Sequence, residues 1–146
     1  MRGALLMPAA VGKVERRSLL RAVAGLCGMI LAGMAGAADL VGHGGPVRAI
    51  ALSQDGTAAA TGSFDSTVIL WSLADGRARQ VLRYHQGVVH AVALLGDGRV
   101  ASAGEDGRIA LWRPGSTQPE AVLTGHGGPV VALAVAPDGQ TLASAS

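Results

Sequence analysis

Cysteine is almost absent from this 146-residue chain, with Cys27 the only one. It falls in an N-terminal stretch that reads as removable, so the rest of the chain has neither a disulfide nor a thiolate metal site to hold it together. Aromatic residues are few: Phe64, Trp71, Tyr84 and Trp112. Lysine does not occur after Lys13. From residue 38 onward there are seven arginines against nine Asp or Glu, so the overall charge of +2 comes from the N-terminus. With no basic stripe interleaved with aromatics, the body is not expected to bind nucleic acid. The Cys-x-x-Cys-His of a c-type haem and the Gly-x-Ser-x-Gly of a nucleophile elbow are both missing. No segment after residue 40 shows a 3.6-residue apolar period, which argues against helices there.

Small apolar residues and turn formers are abundant. Hydrophobic residues make up 49% of the chain and glycines number 22. This mixture suits closely packed short side chains and frequent turns, not disorder.

Residues 1–37 read as an export signal. Arg2, Lys13, Arg16, Arg17 and Arg21 precede an uncharged run over residues 22–38, which ends in the small-x-small stretch Ala35-Gly36-Ala37. Cleavage after Ala37 would leave a chain beginning at Ala38. The Arg16-Arg17 pair followed by Leu19-Leu20 resembles a twin-arginine signal, although Glu15 stands where Ser or Thr is usual; an ordinary secretory signal is the alternative. Cleavage implies a periplasmic or secreted protein. If the leader stays, residues 19–38 would anchor the chain to the inner membrane, because 17 uncharged residues just span a bilayer.

The body repeats itself. His43, His85 and His126 are spaced by 42 and 41 residues, and each precedes by 12 an aspartate in a turn: Asp55, Asp97 and Asp138. Asp65 and Asp106 stand six residues before Trp71 and Trp112, and each tryptophan stands 14 before the next histidine. Apolar runs at 47–52, 88–94 and 130–135 predict first strands, and second strands are expected at 57–62, 99–103 and 140–146. Third strands are expected at 67–72 and 108–113, and fourth strands at 79–83 and 120–124. Four strands in a unit of about 41 residues describe an all-β propeller blade. The units run over about 40–81, 82–122 and 123–146. That makes two complete four-stranded blades and part of a third, after the signal segment.

Gly42-His43, Gly125-His126, Thr61-Gly62-Ser63-x-Asp65 and Val68-Ile69-Leu70-Trp71 resemble the WD40-repeat family over essentially all of residues 40–146. The second unit departs from the pattern with Tyr84-His85, and neither tryptophan is followed by Asp. The resemblance implies a hydrogen-bonded tetrad in each blade: His43, Thr61, Asp65 and Trp71, then His85, Ser102, Asp106 and Trp112, with His126 and Ser144 in the third unit. Thr61 and Ser102 both lie four residues before their aspartate, whereas Ser63 matches Gly104, so the former pair fits the tetrad. The resemblance also places Arg48, Phe64, His90 and Glu105 towards the face on which such propellers hold partners.

Three of the four histidines sit at the repeat period, which assigns them to different blades and argues against a metal cluster. His43-Gly44-Gly45 and His126-Gly127-Gly128 look like an esterase oxyanion loop, but their recurrence at the repeat period fits a turn into a first strand. The expected protein is therefore a non-catalytic scaffold, without cofactor, that binds a protein or peptide. The alternative is the propeller portion of a longer exported redox protein, with a cytochrome c domain, or of an enzyme. The 109 residues after the signal make fewer than three units, whereas closed propellers have roughly four to eight. A truncated chain is the expectation; self-association through open blade edges and pairing with another chain are the alternatives.

Overall fold

The computed structural model describes residues 39–139 and 141–146. The expected signal at residues 1–37 and the alternative anchor at 19–38 lie outside the described residues. Among the described residues the only regular structure is β-strand.

The described strands form three antiparallel sheets. The first holds β1 (Val47–Leu52), β2 (Ala58–Ser63), β3 (Thr67–Ser72) and β4 (Arg77–Arg83), in that order. The second holds β5 (Val89–Leu94), β6 (Val100–Gly104), β7 (Ile109–Trp112) and β8 (Ala121–Leu123). The third pairs β9 (Ala132–Val135) with β10 (Leu142–Ala145). Two four-stranded blades and part of a third are thus present. β7, β8, β9 and β10 are shorter than the spans expected for them from the sequence. Val130 and Val131 precede β9 in the connection, and the amide of Val130 donates to Gly104 O of the neighbouring sheet at 3.0 Å. Residues 39–41 form no strand.

The hairpins follow from the Asp-Gly dipeptides. At the first, Gly56 takes φ +69° and Ser53 N donates to Ala58 O at 2.9 Å. Asp55 Oδ1 accepts from the Thr57 amide at 3.0 Å and from Ser53 Oγ at 2.6 Å, so the side chain closes the turn locally. Gly98 and Gly139 adopt the same left-handed conformation at the equivalent turns.

The first strands neighbour one another, and each leads into its own sheet: β5 packs against β1 and β2, and β9 against β5 and β6. The core lies between sheets. Ala60, Val68 and Leu82 of the first sheet meet Val89, Val92, Val100 and Trp112 of the second. Ala91, Ala103 and Ile109 of the second sheet meet Val130 on the side of the third. Gly62 marks the closest approach, where an added Cβ would sit 2.6 Å from Val89 Cγ1.

Candidate functional site

The turns between β2 and β3 and between β6 and β7 are at the opposite end of the sheets from the hairpins at Asp55-Gly56 and Asp97-Gly98, because successive antiparallel strands reverse direction. Each is tied to a histidine before the sheet's first strand. In the first sheet Trp71 Nε1 donates to Thr61 Oγ1 at 2.7 Å. An indole N–H can only donate, so the threonine oxygen accepts there, and the same oxygen lies 2.7 Å from His43 Nε2. The Asp65 carboxylate only accepts, so His43 Nδ1, 3.0 Å from its Oδ2, carries a ring hydrogen. The wiring itself selects the tautomer.

The second sheet repeats the chain with a serine. Trp112 Nε1 donates to Ser102 Oγ at 2.9 Å, Ser102 Oγ lies 2.8 Å from His85 Nε2, and His85 Nδ1 lies 3.0 Å from Asp106 Oδ2. In the third sheet His126 Nε2 meets Ser144 Oγ at 2.7 Å.

Burial alone would push the Asp65 carboxyl up. The Thr67 hydroxyl and amide, the Gly44 amide and His43 all donate to it and hold it well below the usual carboxylate range. Asp106 accepts hydrogen bonds from the amides of Gln86 and Arg108, with Arg108 standing where the first sheet has Thr67.

Hydroxyl, imidazole and carboxylate in sequence are also the parts of an acyl-transfer triad. Here the hydroxyls are inaccessible: Ser102 is 0% and Thr61 5% exposed, and each already accepts a tryptophan N–H. No acyl group could reach them without opening the sheet. The arrangement staples a turn; it does not present a nucleophile.

The structure places Arg48, Phe64, His90 and Glu105 at the stapled end. Arg48 and His90 are the extra residues at matching register shifts, between Val47 and Ala49 and between Val89 and Ala91. Arg48 is exposed and Phe64 is 52% exposed. His90 is half-buried, and its Nδ1 is buried without a hydrogen-bond partner among the described residues. Glu105 is exposed, but its Oε2 accepts from the Val88 amide at 3.3 Å, so part of its bonding is used within the loop.

Sequence reasoning missed three contributors to this site. Thr67 adds its hydroxyl to both Asp65, at 2.7 Å, and His43 Nδ1, at 3.1 Å. Ser63, set aside in favour of Thr61, bridges Gly45 O and the Asp65 amide. Tyr84, which replaces the expected glycine, packs edge-on against His85 and Trp112 at centroid distances of 5.5 and 6.3 Å. The Asp-x-Thr spacing was a signal for Thr67, since Asp55-Gly56-Thr57 builds the same local turn.

Comparison with known proteins gives the same picture. The family model for WD domain, G-beta repeat, matches residues 37–72, 76–113 and 117–146. The second match begins just before β4 and ends just after β7, so the family's sequence unit takes the last strand of one sheet together with three strands of the next. The chain is 37% identical over 91 residues to small ribosomal subunit protein RACK1y of Oryza sativa subsp. japonica, covering 60% of this chain and 26% of that protein. It is 39% identical over 75 residues to telomerase protein component 1 of Rattus norvegicus, covering 51% of this chain and 3% of that one. It is 34% identical over 73 residues to small ribosomal subunit protein RACK1 of Brassica napus, covering 50% of this chain and 22% of that protein. The chain thus spans about a quarter or less of these relatives' lengths. With three repeat matches across most of its length, and two sheets wired alike through histidine, hydroxyl, aspartate and tryptophan, this chain belongs to the WD40 family.

Proposed function

We propose that the chain is a non-catalytic interaction scaffold that holds a protein or peptide partner on the stapled end of its sheets. One observation carries this reading: Phe64 is 52% exposed on a turn whose next residue, Asp65, is fixed by His43, Gly44 and Thr67. A large apolar ring held on a rigid turn loses little entropy on binding, and it has the character of an interface anchor. Arg48 and His90 add polar groups towards the same end. The relatives are named as components of a ribosomal subunit and of telomerase, which agrees with a role inside an assembly.

Site-specific photo-crosslinking tests the reading. A photoreactive phenylalanine analogue at position 64 is expected to crosslink a partner that the same analogue at Leu73 does not, and Phe64→Ala should lose that partner without a change in melting temperature. Equal crosslinking from both positions would overturn it.

We further propose that the chain acts in the periplasm or outside the cell. The support is Arg16-Arg17 and Ala35-Gly36-Ala37 in the sequence. Mass spectrometry of periplasmic protein should find a terminus at or near Ala38. An intact Met1 on cytoplasmic protein would refute export.

A further inference from the structure

At the end of the sheets that carries the Asp55-Gly56 and Asp97-Gly98 hairpins, away from the stapled turns, a cleft of about 540 Å³ opens between the first and second sheets. Pockets that take small organic ligands measure roughly 300–1,000 Å³. Its wall is mostly apolar: Leu70 and Trp71 from β3, Leu94 at the end of β5, Leu95 just after it, and Pro114 from the β7–β8 connection.

Among the described residues, Arg79 is the one cation lining this cleft. Its position there follows from a backbone irregularity. Leu70 pairs with Gln80 and Trp71 with Ala78, so Arg79 is the unpaired extra residue of a bulge in β4. Bulges re-aim side chains and often accompany sites. The neighbouring Gln80 reaches across to the Ser116 carbonyl and ties the two sheets together beside the cleft. Arg79 itself makes one hydrogen bond, from Nη2 to Ser72 Oγ at 3.2 Å, and no ion pair among the described residues. The arginines with carboxylate partners, Arg99 and Arg113, are bonded to Asp97 and Glu120.

Asp55 also lines the cleft. Its carboxylate is occupied by Ser53 and by the amide and hydroxyl of Thr57, so it serves the hairpin and makes no ion pair with Arg79. A guanidinium has five N–H donors in a planar fork suited to a carboxylate. We propose that this inter-sheet cleft binds a carboxylic acid with an aliphatic body, the apolar part against Leu70, Leu94 and Leu95 and the carboxylate on Arg79. Such a group could be a free aliphatic acid or the last residue of a peptide. The site is separate from the partner face at the stapled end and does not depend on it.

Titration of the full chain, followed by ligand-observed NMR, tests this with N-acetyl-L-leucine, its carboxamide, and octanoate. The acid is expected to saturate and to bind about tenfold or more tightly than the amide, as the loss of a charge-assisted bond implies. Arg79→Gln should erase that preference, and Arg77→Gln, on the same strand but outside the cleft, should keep it. Tighter binding of octanoate assigns the free acid as the ligand; tighter binding of N-acetyl-L-leucine assigns the peptide terminus. Equal binding of acid and amide by the unaltered chain overturns the proposal, and so does acid binding that survives Arg79→Gln or the failure of both acids to saturate. The comparison of acid with amide needs no variant, so it holds even if Arg79→Gln folds poorly.

Discussion

The two complete tetrads bond their histidine through both ring nitrogens, one to a hydroxyl and the other to an aspartate. The His43 side chain is only 5% exposed and that of Asp65 18%. Burial opposes ionisation of Asp65, yet Thr67, Gly44 and His43 outweigh it and hold the carboxyl below the ordinary aspartate value of 3.8. A carboxyl whose folded value is depressed contributes stability above its unfolded value and loses it as pH falls towards the folded one. The melting temperature should therefore drop as pH falls below about 4. Asp65→Asn should flatten that drop and cost about 1–2 kcal/mol at pH 7, discounted for the carboxylate's partial exposure. Thermal unfolding followed by circular dichroism from pH 7 to 2 measures both. A variant with an unchanged acid limb would show that other carboxyls set the acid sensitivity.

At the scale of the strands, the second and third members of the two four-stranded sheets are buried on both faces, and alanine and glycine set how near the next sheet comes. β2 reads Ala-Ala-Ala-Thr-Gly-Ser and is buried along nearly its whole length. Gly62 faces Val89 so closely that a methyl group would have to displace it. Gly62→Ala should destabilise the chain by about 1–3 kcal/mol, because overpacking here forces two sheets apart and not one side chain aside. Gly96→Ala is the matched control: it stands in a turn where an added Cβ meets nothing within 4 Å, and its change in melting temperature should be small. Similar losses for the two, in chemical denaturation, would mean that the inter-sheet contact at Gly62 is not tight in solution.

Over the whole described body the repeats are not equally covered. Val47, Ile50 and Leu52 on β1 are 55%, 66% and 62% exposed, and Val131 ahead of β9 is 50% exposed. β1 is also an edge strand of its sheet. Apolar side chains on an exposed edge favour association between chains. The 146-residue polypeptide expressed by itself should sediment as a concentration-dependent mixture of monomer and larger species, and Ile50→Lys should shift it towards monomer. A monomer at every concentration, insensitive to Ile50→Lys, would show that this surface stays free.

Much of this was written in the chain's periodicity. The 41- and 42-residue spacing of histidines, the Asp-Gly turns and the six-residue step from aspartate to tryptophan are local or near-local signals. They sufficed for four strands in each of the first two units, while the tetrad of histidine, hydroxyl, aspartate and tryptophan came from the resemblance to WD40 repeats, and the first two sheets bring those residues together. Strand ends were less legible. Val130 is as apolar as Leu133 or Val135 within β9, yet it serves as a buried connector to the second sheet. Other features depend on neighbours that no spacing within one unit reports. Val47–Leu52 and Val89–Leu94 have nearly the same apolar character, yet β5 is sandwiched between sheets and mostly buried, whereas β1 is largely exposed. The cleft carrying Arg79 exists only where a bulge in one sheet faces two turns of the next. Hydrogen-bond periodicity within a sheet is set by the order of residues along the chain; burial and clefts are set by which sheet lies beside it, and that is decided only when the sheets pack.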